Sequence, residues 1–354
     1  MSRFFSEKFN NLIPYTPGEQ PTDQQYIKLN TNESPFPPSP KAKAFAAKAA
    51  EQLMLYPDPE CRQLRKKLAE VLNVNENEVL LTNGSDEILE YAFMAWCDEK
   101  HPAVFADITY GFYRVFADLY SLPCTIIPLT EDFTIEIDAY CKAKGTVIIA
   151  NPNAPTGIAL SPKEIETILQ SDPDRLVIVD EAYVDFGGES CIPLIKRYDN
   201  LLVTGTFSKS RSMAGARLGF GVANPALLQD LSTLKYSKNP YNINRMTMAA
   251  GLGQLEDNDQ TLENCQKIIQ NRAFTTQSLK ELGFTVLESK TNFVFAKHPR
   301  LSGKYLYQKL KEQGILVRHF DTDRLRDYNR ITIGSKEQMQ TFIQTLQRIL
   351  EEQL

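Results

Sequence analysis

Apolar residues in the middle of the chain fall in short runs: Val79-Leu80-Leu81, Ala103-Val104-Phe105-Ala106, Thr146-Val147-Ile148-Ile149-Ala150, Leu176-Val177-Ile178-Val179 and Leu201-Leu202-Val203-Thr204. Runs this short, bounded by polar stretches rich in helix formers, predict strands buried on both faces. Their alternation with helical stretches from Glu60 to Tyr241 predicts an α/β large domain with a mainly parallel sheet between two helix layers, three layers in all. Ser161-Pro162-Lys163-Glu164 is a capping box that opens one of those helices. In such sheets ligands gather outside the carboxyl ends of the strands. That rule places Asn151, Asn153, Asp180 and the segment up to Lys209 on one rim.

The flanks differ in character. Residues 1–40 are rich in Pro, Asn and Thr and carry seven prolines from Pro14 to Pro40, which predicts an extended arm that needs another surface to lie on. Ser39-Pro40 reads as a helix start, with proline at the first helical position, and the large domain is expected over 41–241. After Asn242 a helical pattern continues to Leu282. Short strands follow around 284–286, 292–296, 315–318 and 330–333, with helices over 303–313 and 336–350. This predicts a smaller α+β C-terminal domain over 242–354, and the cleft between the two domains is the expected ligand site.

Composition narrows the chemistry. At 354 residues the chain exceeds what one hydrophobic core usually supports, so a deep site between domains is affordable. A net charge of -5 offers no basic field for nucleic acid or an anionic membrane. No run approaches the ~20 apolar residues of a membrane helix, and the start of the chain lacks an apolar segment with a cleavage site. Six cysteines without a C-x-x-C pair and three histidines argue against a metal site. The expectation is a reduced, cytoplasmic protein that acts on small molecules.

Several residues on the predicted rim suit a planar, phosphorylated ring. Asp180 ends an apolar strand, where a carboxylate needs a cationic partner such as a protonated pyridine nitrogen, or else caps the following turn. Tyr183 lies within reach of the same ring, or packs in the core. Lys209, in Thr206-Phe207-Ser208-Lys209, offers an amine for a Schiff base, although a lone lysine is more often a solvated charge. Arg217 with Thr206 and Ser208 offers a guanidinium fork and two hydroxyls to a phosphate, the alternative being a surface ion pair. Gly84-Ser85-Asp86 follows a strand and opens a helix, so its backbone N–H groups form an anion site. Tyr110 offers an aromatic face to a ring or to the core. In Asn151-Pro152-Asn153-Ala154-Pro155-Thr156-Gly157 two prolines fix the path of the loop, with a cis peptide expected before Pro155.

These segments, with Leu29-Asn30-Thr31-Asn32-Glu33-Ser34-Pro35, Tyr56-Pro57-Asp58-Pro59-Glu60 and Arg330-Ile331-Thr332-Ile333-Gly334, occur in an order that resembles the fold-type I, pyridoxal-phosphate-dependent aminotransferases over nearly the whole chain. The resemblance implies pyridoxal 5'-phosphate as cofactor. It implies that Lys209 bonds the cofactor, Asp180 pairs with the pyridine nitrogen, Tyr183 contacts the ring hydroxyl and Tyr110 stacks on the ring. Gly84, Ser85, Asp86, Thr206, Ser208 and Arg217 would surround the phosphate, Ser85 and Asp86 through backbone N–H groups. It further implies a homodimer with shared active sites, in which Tyr56 reaches the other subunit's phosphate and the arm lies on the partner. The family's loop carries asparagine where Ala154 stands, and Asn153 is expected to take over its contact with the ring hydroxyl. Ser34 and Ile108 also depart from the pattern. The implied reaction moves an amino group between histidinol phosphate and 2-oxoglutarate, through glutamate, with Arg318 and Arg330 gripping the anionic group and Tyr15, Asn32 and Glu33 lining the site. Aromatic amino-acid transamination, phosphothreonine decarboxylation and a cofactor-binding regulator without turnover are the alternatives.

Overall fold

The computed structural model describes residues 2–10 and 12–353, so Met1 and Asn11 of the arm and Leu354 lie outside the described residues. Among the described residues there are thirteen strands: β1 Ile27–Lys28, β2 Val79–Thr82, β3 Ala103–Ala106, β4 Cys124–Ile127, β5 Thr146–Ala150, β6 Val177–Asp180, β7 Leu201–Thr206, β8 Gly219–Ala223, β9 Thr285–Val286, β10 Phe293–Lys297, β11 Ile315–Leu316, β12 Arg318–His319 and β13 Tyr328–Thr332. The helices are α1 Pro40–Ala50, α2 Arg62–Leu72, α3 Ser85–Trp96, α4 Phe112–Leu119, α5 Ile137–Lys142, α6 Pro162–Ser171, α7 Pro225–Lys238, α8 Arg245–Glu256, α9 Asn258–Glu281, α10 Gly303–Glu312 and α11 Lys336–Glu351.

Seven strands form the large sheet in the order β2-β8-β7-β6-β5-β3-β4. All pairs are parallel except those made by β8, which runs against both β2 and β7. Every residue of β3, β5, β6 and β7 is buried, because helices cover both faces. Alternate side chains divide between two cores. Val147, Ile149, Val177, Val179 and Val203 pack with α2, α5, α6 and α8, while Ile148, Ile178 and Leu202 pack with α3, α4 and α7. The three-layer α/β expectation is met.

Two strands of this sheet escaped the sequence pattern, for physical reasons. β4 is an edge strand with two exposed residues, so it lacks the signature of a strand covered on both faces. β8 reads Gly-Phe-Gly-Val-Ala, and glycine weakens a strand signal. Gly219 is required there, since a Cβ would stand 2.2 Å from the backbone nitrogen of Ser85.

The small domain is a four-stranded antiparallel sheet, β12-β13-β10-β9, with α9, α10 and α11 closing its core. Packing divides the chain differently from the expected boundary at Asn242. The single helical stretch expected to Leu282 is two helices that break at Asp257. α8 lies along α1 and α2 and contributes Leu255 to the large core, whereas Cys265, Ile268 and Leu279 of α9 belong to the small one. The arm also departs from expectation. Ile27 and Lys28 pair in parallel with Ile315 and Leu316, and Leu29 is buried in the small core, so this part of the arm lies on its own chain.

Ser39 caps α1 by accepting from the Ala42 N–H, and Pro40 occupies the first turn, as the sequence predicts. The close approach of α1 to α8 depends on Gly253, where a Cβ would lie 2.6 Å from the Lys41 carbonyl. Gly253→Ala should therefore force the helices apart at a cost of about 1–3 kcal/mol and lower the melting temperature by several degrees in a thermal scan.

Candidate active site

The carboxyl ends of β5, β6 and β7 and the turn between β2 and α3 surround a cavity of about 190 Å³. Ser85, Asp86, Tyr110, Asp180, Tyr183, Thr206, Ser208, Lys209 and Arg217 all line it, together with Glu33 from the arm.

Asp180, the last residue of β6, is buried at the floor. The Tyr113 hydroxyl donates to Oδ2 at 2.9 Å and the Ala182 N–H to Oδ1 at 3.3 Å. Burial pushes its carboxyl up to about 6, and the negative charge of Asp86 adds to the effect while Tyr113 and Lys209 oppose it. Tyr113 was not anticipated. Its signal lay in its position on α4, one turn after Tyr110. Lys209 stands beyond the end of β7, with Nζ 3.3 Å from the Thr31 carbonyl and 5.6 Å from the centre of the Tyr183 ring.

The opposite end is built for an anion. α3 starts at Ser85 without a side-chain cap, after Gly84 at φ 80°, so its first N–H groups face outward. Arg217, held at φ 54°, donates from Nη1 to the Ser208 hydroxyl at 3.5 Å and from Nη2 to Asp86 at 3.0 Å. A Cβ on Gly84 would meet Nη2 at 2.7 Å, which explains the glycine. Asp86 was expected to act through its backbone N–H. Its carboxylate also holds Arg217, and it accepts from the Tyr110 hydroxyl at 2.8 Å.

Asn153 does not take the place of the asparagine missing at Ala154. Its Oδ1 accepts from Thr109 at 2.8 Å, and its Nδ2 donates to the Ile108 carbonyl and to Thr156, each at 3.0 Å, so the amide ties its loop to the segment after β3. Ala154 faces the cavity instead, and the peptides before Pro152 and Pro155 are both cis. The amide that meets Tyr183 comes from the arm, where Asn32 Nδ2 donates to the phenol oxygen at 3.0 Å.

A second cavity of about 630 Å³ opens from the first and shares Thr31, Tyr110, Ala154, Tyr183 and Lys209 with it. Tyr15, Asn32, Arg318 and Arg330 line it. Tyr15 leans on Phe112, with ring centres 4.7 Å apart. Arg330 Nη2 donates to the Asn30 carbonyl at 2.9 Å, and its guanidinium carbon lies 5.4 Å from the centre of the Phe293 ring. Burial lowers the pKa of Arg330. Arg318 donates to the carbonyls of Thr16 and Pro17 at 3.3 Å. Among the described residues neither arginine has a carboxylate within salt-bridge distance. Glu33 is less available than expected. Burial pushes its carboxyl up, but Lys28 at 2.8 Å and Thr31 at 2.8 Å outweigh it and hold the group below its usual range. Tyr56 lines neither cavity. It is 79% exposed and stacks on Tyr241 with ring centres 4.7 Å apart.

Residues 24–346 match the family model described as aminotransferase class I and II. The chain belongs to that family. It is 48% identical to the histidinol-phosphate aminotransferase of Brachyspira hyodysenteriae over 353 residues, covering 99% of this chain and 100% of the relative. It is 44% identical to the enzyme of the same name from Clostridium acetobutylicum over 351 residues, covering 99% and 100%. Its fold matches the histidinol-phosphate aminotransferase of Sinorhizobium meliloti, solved in complex with pyridoxal-5'-phosphate, at a TM-score of 0.85 and 22% identity, covering 94% of this chain and 93% of that one.

The residues of this aminotransferase fit pyridoxal phosphate. Asp180 would supply the anion that a protonated ring nitrogen needs, Lys209 the amine, and Arg217, Ser208 and the start of α3 the phosphate cradle. Among the described residues the partners of the Asp180 oxygens are the uncharged Tyr113 hydroxyl and Ala182 N–H. Because the folded pKa of Asp180, about 6, lies above the ordinary 3.8, the native state holds the proton more tightly. The stability this contributes is full below pH 4 and lost as pH rises through about 6. Glu181, raised by burial to about 7, adds to that loss. Cofactor-free Asp180→Asn should melt at pH 8 no lower than the parent protein, while its affinity for pyridoxal phosphate falls about 100-fold in equilibrium titration, the size of a lost charge-assisted contact.

Proposed function

We infer that the chain moves an amino group between L-histidinol phosphate and 2-oxoglutarate. The observation that carries this reading is the pair of guanidinium groups, Arg318 and Arg330, that face one cavity without carboxylate partners beside Lys209. Two guanidinium groups suit a phosphate dianion, and equally a carboxylate of 2-oxoglutarate or glutamate. The full-length relatives at 44% and 48% identity support the same substrate.

Bound pyridoxal phosphate supplies an electrophilic carbon for the substrate amine and a cationic ring that takes up electrons from the substrate carbon. The chain does the rest. Asp180 would keep the ring nitrogen protonated, Tyr183 would donate to the ring oxygen, and the start of α3 with Ser208 and Arg217 would hold the phosphate still. Lys209 would hold the cofactor between turnovers, and its amine would accept the proton that leaves the substrate carbon. Arg318 and Arg330 place the reacting carbon by holding the far end of the substrate.

We further propose a homodimer, in the cytoplasm. Leu53, Met54, Leu55 and Tyr56 are consecutive and exposed, beside a groove of about 740 Å³ between α1, α2 and α8, and an apolar patch of this kind needs cover. A second copy that covers it would receive Tyr56 at its cofactor phosphate. Described residues include no helix long and apolar enough to cross a membrane.

Single-turnover mixing of the cofactor-loaded protein with histidinol phosphate, phenylalanine, tyrosine and phosphothreonine tests the substrate. Histidinol phosphate should bleach the visible band fastest; faster bleaching by an aromatic amino acid, or release of carbon dioxide from phosphothreonine, would remove this reading. Arg330→Ala should raise KM for histidinol phosphate about 100-fold, as expected when a charge-assisted contact is lost. Sedimentation should give a particle of two chains, and Tyr56→Ala should weaken cofactor retention only if that dimer forms.

A further inference from the structure

Tyr183 is held by a chain of hydrogen bonds that begins in the small domain. Thr332 closes β13 and is buried. Its hydroxyl donates to Asn32 Oδ1 at 2.9 Å and accepts from the Asn32 backbone N–H at 3.0 Å. Asn292 Nδ2 donates to the Asn32 carbonyl at 3.0 Å. Asn32 itself is 1% exposed and sits at φ 55°, a left-handed conformation that asparagine tolerates better than most residues.

Proton counting fixes the direction of this chain. The Thr332 hydroxyl has one proton, and among the described residues its acceptor is Asn32 Oδ1. With that oxygen engaged, the amide turns its NH₂ group toward Tyr183, 3.0 Å away. The phenol oxygen is then an acceptor, which leaves its own proton for the cavity it lines. No amide of the 151–157 loop shares the task. Asn151 is spent on Leu160, Asn153 is spent on Thr109, Ile108 and Thr156, and position 154 is alanine.

We propose that Thr332 is a positioning residue for the amino transfer: by orienting the Asn32 amide, it commits Tyr183 to donate its proton to the cofactor's ring oxygen. The proposal rests on the pyridoxal phosphate reading above. A hydrogen bond donated to that oxygen favours its charged form, so its loss shifts the pH at which the cofactor's visible band titrates.

The test is a spectroscopic pH titration of the cofactor-loaded, full-length protein. Thr332→Val, which removes the hydroxyl at nearly constant shape, should raise the midpoint of the visible band by about one pH unit, the size of one lost hydrogen bond. Thr332→Ser keeps the hydroxyl and should restore the parent midpoint, an outcome that a packing role for the threonine methyl does not give. Asn32→Asp places an acceptor where the donor stood, draws the Tyr183 proton away from the cavity and should raise the midpoint at least as far; it decides the matter if Thr332→Val fails to fold. Parent midpoints in both variants overturn the proposal and leave the cofactor reading intact. A parent protein that forms no visible band with pyridoxal phosphate overturns the cofactor reading, and the proposal with it.

Discussion

A carboxylate at the closed end of a buried strand costs several kcal/mol unless a positive charge meets it. Asp180 is such a group, and much of the site follows from its placement. The strand that carries it lies in the middle of seven, with helices on both faces, and leaves the carboxylate buried at the floor of the cavity. Tyr113 from α4 and the Ala182 N–H give hydrogen bonds but no charge. A cationic ring nitrogen would complete the arrangement, and burial pushes the Asp180 carboxyl up to about 6.

The phosphate end uses the opposite principle. Here the protein gathers positive potential before any ligand arrives: free N–H groups at the start of α3, and a guanidinium fixed by Asp86 and Ser208. Glycine at 84 and 219 lets the two backbones and the arginine approach to distances that a Cβ would forbid. Both anchors belong to the large domain. The adjoining cavity is lined elsewhere, by Arg318 and Arg330 on the antiparallel sheet of the small domain and by Tyr15 on the arm, the groups proposed for substrate recognition. The arm joins the two systems, since Asn32 bonds both Thr332 and Tyr183, and the Thr31 carbonyl accepts from Lys209.

Much of this was legible in the chain because it rests on local rules. Strands buried on both faces announce themselves as apolar runs, and the capping box at Ser161 and the proline start at Pro40 appear as expected. The carboxyl-end rule brought Asp180, Tyr183 and Lys209 to one rim. Where local signal was weak, the reading fell short. β8 is glycine-rich because it must pass close to Ser85, and β4 is half exposed at an edge. The break at Asp257 has neither glycine nor proline to mark it, so two helices that serve different cores looked like one.

The sequence by itself determined the α/β layering and the gathering of Asp180, Tyr183 and Lys209 at one rim, because each depends on residue type and position relative to a strand end. Only the tertiary structure decided which amide meets Tyr183. Asn153 looked available by proximity along the chain, yet its amide is tied to Thr109, Ile108 and Thr156. Asn32 lies 151 positions from Tyr183 and reaches it because β1 pairs with β11, which brings the arm over the cleft, and because Thr332 turns the amide the right way. Hydrogen-bond direction is settled by all the partners of a group at once, and those partners are assembled only when the chain has folded.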